Sequence, residues 1–180
     1  GIQMKKIFIG LLFLLSTVSV FAAKFEKPVI LTSVGQSADV QMVKALLKKA
    51  GIEAKFDKSL TAEGIKDEKT IILAIGGSSK GLGAAGIKAE DELARAEKLI
   101  KAAKDKKIKI IGMHIGGEAR RGELSDKFVK VAAPYCDYLI VVDEGNKDGI
   151  FTKMSSEKKI PIDTIPKITN AVDPLKKAFE

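Results

Sequence analysis

Two apolar runs, Thr70–Ile75 (TIILAI) and Tyr138–Val142 (YLIVV), constrain the fold more than any other feature of the sequence. A strand with one wet face alternates apolar and polar residues. A run without that alternation is covered on both faces, as central strands of parallel sheets are. Around these runs the spacing turns helical. Val40, Val43, Leu46, Leu47 and Ala50 fall on one helical face, and Leu93, Ala96, Leu99, Ile100 and Ala103 on another. Further strands are predicted at Pro28–Val34, Ile52–Phe56 (at or near a sheet edge), Lys109–His114 and Ile160–Ile165. Further helices are predicted from the region of Ser125 to Ala133, over Gly149–Lys158, and at the C-terminus to near Phe179. Ser37, Thr61 and Ser125 are expected as N-caps, Leu124 with Val129 as a hydrophobic staple, Gly51 as a helix stop and Pro174 at a first helical position. Strands that alternate with helices give an α/β fold: a single doubly wound parallel sheet in a flavodoxin-like three-layer sandwich, with right-handed crossovers.

The 180 residues are enough for one domain. Met4-Lys5-Lys6, the mostly apolar run Ile7–Val20 and the small residues of Val20-Phe21-Ala22 read as a signal peptide over 4–22, cleaved after Ala22. The expected mature chain is one α/β domain over 23–180, exported to the periplasm or beyond the cell. It should hold no integral membrane span. Removing Lys5 and Lys6 lowers the formal charge from +8 to +6. Most of the lysines are interleaved with acids, which reads as a solvated surface. Basic–aromatic interleaving is missing and there is no Trp, so nucleic acid is not an expected partner. One Cys and one His argue against a zinc site, and the oxygens of Asp143, Glu144, Asn146 and Asp148 fit no EF-hand spacing. No metal and no cofactor are expected.

In open parallel sheets ligands bind beyond the carboxyl ends of the strands, where the strand order reverses. Three loops of unusual composition leave such ends. The first supplies Ser33, Gln36 and Ser37. The second, Gly76 to Gly86, supplies Gly76, Gly77, Ser78, Ser79, Lys80 and Gly81, and is longer than an ordinary connection of about 4–6 residues. The third supplies His114, Gly116, Gly117, Glu118, Arg120 and Arg121. Glycines let backbone N–H groups approach a ligand, serines donate hydrogen bonds, and Lys80, Arg120 and Arg121 bring positive charge. The leading reading is therefore an extracytoplasmic domain that binds a small anionic molecule, with delivery to a membrane transport or sensing system as its extension; it leans away from an enzyme and leaves that question open. Against it stands a structural role, in which Arg120 and Arg121 pair with Glu118 and Glu123. The first alternative is a small exported hydrolase or transferase with His114 as acid or base and Ser78 or Ser79 as nucleophile. The second is an envelope scaffold for protein partners.

Two motif matches inside the second loop are set aside. Gly81-Leu82-Gly83-Ala84-Ala85-Gly86 fits G-x-G-x-x-G, but it lies six residues past the strand end, and Glu90, Asp91 and Glu92 open the following helix with the wrong charge for a pyrophosphate. Gly77-Ser78-Ser79-Lys80-Gly81 fits the nucleophile elbow G-x-S-x-G, but a helix is expected directly after the serine and more glycines follow instead. No Walker A triplet is present. Cys136, alone before an apolar strand, reads as a buried thiol.

The segments GGSSKGLGAAG and HIGGEARRGELSDKF, together with the leader, are similar to a family of small exported bacterial α/β domains that carries only a domain-of-unknown-function label. The likeness spans about Lys27 to Phe179. It implies a single exported domain and carries over no activity, cofactor or catalytic residue.

Overall fold

The computed structural model describes residues 24–180; the predicted signal peptide and its cleavage point lie outside the described residues. Six strands form one parallel sheet: β1 (Val29–Val34), β2 (Ala54–Phe56), β3 (Thr70–Ile75), β4 (Lys109–His114), β5 (Tyr138–Val142) and β6 (Ile162–Ile165), in the order β2-β1-β3-β4-β5-β6. The order reverses between β1 and β3, so the switch point lies between their carboxyl ends. Helix α1 (Asp39–Lys49) carries the chain from β1 out to the edge strand β2. Helices α2 (Ser79–Ala85) and α3 (Ala89–Asp105), then α4 (Glu123–Ala132), then α5 (Ile150–Lys158) make the successive crossovers in the other direction, and α6 (Val172–Ala178) follows β6. Because each crossover keeps the same hand, reversing direction along the sheet puts the helices on opposite faces.

The core divides accordingly into two layers. Ile71, Leu73, Ile75, Ile110, Leu139 and Val141 point to one face, where Leu99, Phe128 and Phe151 from α3, α4 and α5 cover them. Ile72, Ala74, Ile111, Met113, Ile140 and Val142 point to the other, under Val43, Leu46 and Leu47 of α1 and Leu175 of α6. All of β3 and β5 is buried, as their unbroken apolar runs demand. Gly112 in β4 marks where the packing is tightest: a Cβ there would stand 2.6 Å from Cys136 Sγ and 2.9 Å from Leu139 Cδ2.

Six local expectations are corrected. Ala38 and not Ser37 is the N-cap of α1, with no side-chain cap bond, and with Gly122 as the N-cap of α4, Leu124 and Val129 do not stand at staple positions. Gly76–Gly86 is not one long loop: Ser78 accepts a hydrogen bond from Gly81 N–H at 3.0 Å, α2 starts at Ser79, and Gly86 ends it in a left-handed conformation at φ 66°. Ser125 is not an N-cap, because α4 starts at Glu123 and the Ser125 side chain turns inward. Pro174 is the third residue of α6, not the first. Thr61 precedes a short helical turn, Ala62–Gly64, without a side-chain cap bond. None of the described helices is long and apolar enough to cross a membrane.

Candidate functional site

The carboxyl ends of β1 and β3 are stitched together across the switch point. Gly35 and Gln36 both take positive φ, 105° and 63°. That turn lets Ser37 N–H donate to Gly76 O at 3.2 Å and Ser78 N–H to Gly35 O at 3.0 Å, and it pairs Gln36 with Gly77 in an isolated antiparallel bridge. Two glycines make the approach feasible. A Cβ on Gly35 would meet Gly76 O at 2.3 Å, and one on Gly81 would meet Gln36 O at 1.8 Å.

Beneath this seam lies a buried ion pair that the sequence reading missed. Glu92 of α3 is fully buried, and its carboxylate accepts from Gly35 N–H at 3.0 Å, Gln36 Nε2 at 2.9 Å and Arg95 Nε at 2.6 Å. Arg95 also donates to Leu60 O at 2.6 Å and to Ser33 O. Gln36 Nε2 reaches Lys58 O at 2.9 Å, and Gln36 N–H donates to Ser33 Oγ at 3.1 Å. Ser33 and Gln36 are thus spent inside the fold. Glu92 does not complement the α3 dipole at the surface; it anchors the strained β1 turn. The available signal was its i,i+3 spacing to Arg95, the only arginine on a helix otherwise rich in lysine.

The third loop folds over the first two. Arg120 O accepts from His114 Nε2 at 2.8 Å and from Ser125 Oγ, while Ser125 Oγ accepts from Gly77 N–H at 3.0 Å. Because a carbonyl only accepts, Nε2 of His114 carries the proton. Among the described residues its buried Nδ1 has no partner; it faces Gly145, and the ring lies 4.9 Å from that of Phe151. Burial pushes the His114 pKa below its ordinary value, and nearby Arg121 adds to this against the hydrogen bond to Arg120 O.

Both arginines of this loop are paired, though not with Glu118 and Glu123. Arg120 Nε donates to Asp39 Oδ2 at 3.1 Å, over Gly76 and Gly116. Arg121 holds Asp126 Oδ1 at 2.8 Å, Asp148 Oδ2 at 2.7 Å and the Gly145 carbonyl at 2.8 Å. Hydrogen bonds from Arg121 bring the Asp148 carboxyl down to about 2 and raise the guanidinium in turn. At Asp126 burial opposes ionisation, but the bonds from Arg121 and from Gly122 N–H outweigh it and lower the pKa. Glu118 pairs instead with Lys147 at 2.6 Å.

The structure therefore brings Ser37, Gly76, Gly77, Gly116 and Arg120 together at the switch point, with Asp39 and Ser125 added to them. Ser79 and Lys80 sit exposed on the first turn of α2. Gly116, Gly117 and Glu118 line a separate open cavity of about 580 Å³ beyond β4, β5 and β6, with Glu144, Pro166 and Ile168 on its far side. Among the described residues no cluster of His, Cys, Asp and Glu is placed to hold a metal.

The family described as "Domain of unknown function (DUF6305)" matches residues 26–179. The chain belongs to that family. No curated protein matches this DUF6305 domain. Among solved structures it is similar to a GDSL-like lipase from Bacteroides thetaiotaomicron, at 14 % identity over 76 % of this chain and 66 % of that one, with a TM-score of 0.34. It is also similar to a putative acylhydrolase from Bacteroides fragilis, at 12 % over 80 % and 71 %, TM-score 0.35. A third is AlinE4, an SGNH-hydrolase family esterase, at 14 % over 83 % and 81 %, TM-score 0.31. Those activities are the named proteins' own.

The expectation of a binding domain for a small anion, with a transporter beyond it, is corrected. The guanidinium groups of Arg120 and Arg121 face three carboxylates, those of Asp39, Asp126 and Asp148, so the loop cluster offers an anion no excess of positive charge.

Proposed function

We propose that this DUF6305 domain is an exported hydrolase of ester or related acyl bonds, with Ser79 as its nucleophile. One observation carries the reading. The turn Gly77-Ser78-Ser79-Lys80-Gly81 leaves β3 and enters α2 at once, so the chain here has the strand–turn–helix context of an elbow serine that its run of glycines hides. Ser79 is exposed there, beside the switch point. Ser78 is the poorer candidate, because its hydroxyl caps α2. His114 does not take the Ser79 proton under this reading, because its Nε2–H is spent on Arg120 O and its ring is buried; the proton of the exposed Ser79 hydroxyl passes to solvent as the oxygen attacks the acyl carbon. Export is supported by the basic start at Met4-Lys5-Lys6 and the apolar run that follows.

Hydrolysis of p-nitrophenyl acetate and butyrate tests the proposal. Ser79→Ala should lower the rate on the order of a thousandfold or more, while Ser78→Ala and His114→Gln keep most of it. A fluorophosphonate should label the peptide that contains Ser79. Turnover that survives Ser79→Ala, or labelling elsewhere, removes the assignment. No turnover of any ester removes the hydrolase reading itself.

A further inference from the structure

The surface between α3 and α4 carries an apolar trough that the catalytic proposal leaves unused. Its floor is Leu93 and Ile100 of α3 and Val131 of α4, and Tyr135 closes one end. Tyr135 is 54 % exposed, one of two large apolar side chains the described residues leave so open. The trough measures about 710 Å³. Its length is set by α3: Leu93 to Lys104 spans about 16 Å at the helical rise, or three turns of a partner helix. Lys101, Lys104, Lys127 and Lys130 stand along its rim, with Glu97 as the single acid among the lining residues. Lys101 and Lys104 have local partners in Asp105 and Asp137, at 2.7 and 3.4 Å. Lys127 and Lys130 are exposed on the α4 side.

We infer that this trough docks an acidic amphipathic helix from a partner protein. The partner's apolar stripe fills the channel against Leu93, Ile100 and Val131, and its carboxylates meet the lysine rim. The apolar floor runs between two helices, and the stretch of α3 along it matches in length the i, i+3, i+4, i+7 anchors of helix-in-groove recognition. An exposed tyrosine beside apolar floor residues is the composition of an interface anchor, with the lysines setting partner charge and association rate.

The test uses the whole domain and a fluorescein-labelled peptide of about 12 residues, with leucines on one helical face and glutamates on the rest. Two controls carry the same composition scrambled, or lysine in place of glutamate. Binding is read by anisotropy and mapped by amide chemical shifts. The acidic amphipathic peptide should bind best and weaken with salt, and its shifts should centre on Leu93–Lys104 and Lys127–Tyr135. Lys127→Glu with Lys130→Glu, or Tyr135→Ala alone, should weaken it about tenfold or more. These surface changes leave the core intact, and circular dichroism confirms the fold of each variant. Equal binding of the scrambled peptide, shifts mapped elsewhere, or no binding overturns the inference. Capture by phosphatidylglycerol vesicles through the same lysines, without peptide binding, overturns it in favour of a membrane surface.

Discussion

Arg95→Met tests whether the buried ion pair under the β1 turn carries the stability that its geometry implies. The Arg95 side chain is 8 % exposed and that of Glu92 is 0 %, with the guanidinium and the carboxylate 2.6 Å apart. Methionine keeps much of the volume and removes every donor. Glu92 then retains Gly35 N–H and Gln36 Nε2 but loses its counter-charge, and the carbonyls of Leu60 and Ser33 lose a donor each. Breaking a buried pair from one side costs about 3–5 kcal/mol. At about 2–4 °C per kcal/mol for a domain of this size, Tm should fall by roughly 6–20 °C. Calorimetry on the wild type, Arg95→Met, Glu92→Gln and the double variant separates charge from packing. Glu92→Gln removes the charge and keeps an oxygen acceptor for Gly35 N–H. The double variant should therefore regain about 1–3 kcal/mol over Arg95→Met alone. A single variant that melts within about 2 °C of the wild type refutes the argument at the scale above. A double variant no better than Arg95→Met shows that the loss is packing and not an uncompensated carboxylate.

Gly81→Ala forces a Cβ against Gln36 O, so it should cost about 1–3 kcal/mol and, by shifting the first turn of α2, lower ester hydrolysis as well. Gly83→Ala in the same helix meets nothing within 4 Å and should add about 0.4–1 kcal/mol, read in the same melts. Burial depresses the folded-state pKa of His114, so its contribution is complete above the unfolded value near 6.5 and is lost as pH falls from there toward the folded pKa. Urea midpoints across this window should drop in the wild type and flatten in His114→Gln; identical slopes refute the assignment. The Asp148 carboxyl should titrate near pH 2 by NMR and move up toward 3.8 in Arg121→Gln. Cys136 lies buried with its thiol pushed up by burial, so a disulfide reagent should label it only after unfolding.

The strands were readable because burial on two faces leaves a compositional mark. Thr70–Ile75, Lys109–His114 and Tyr138–Val142 appear at their expected bounds, and β2 lies at the edge as its short, mixed sequence implied. Helix α2 was hidden for an equally physical reason. SKGLGAA contains two glycines, each a poor helix former, and its helicity comes from the Ser78 cap at one end and the left-handed Gly86 at the other. Gly81 is there because Gln36 O leaves no room for a side chain, a tertiary constraint that no window of local sequence records.

The polar network shows the same limit more sharply. Glu92 and Glu118 are both glutamates in charged surroundings, and nothing local separates them. Yet Glu92 is sealed under the β1 turn, while Glu118 meets a surface lysine. What tells them apart is the partner: the planar fork of Arg95 satisfies one carboxylate and two carbonyls at once, which a lysine's point charge does not. Arg120 and Arg121 repeat the lesson in reverse. Their fork geometry suggested an anion from outside, but the carboxylates that meet it come from α1, α4 and the loop after β5, at sequence distances of 81, 5 and 27 residues. An arginine in a glycine-rich loop thus marks a planar acceptor nearby. Whether that acceptor belongs to the chain or to a ligand is decided by topology, and here the switch point delivers Asp39 to Arg120.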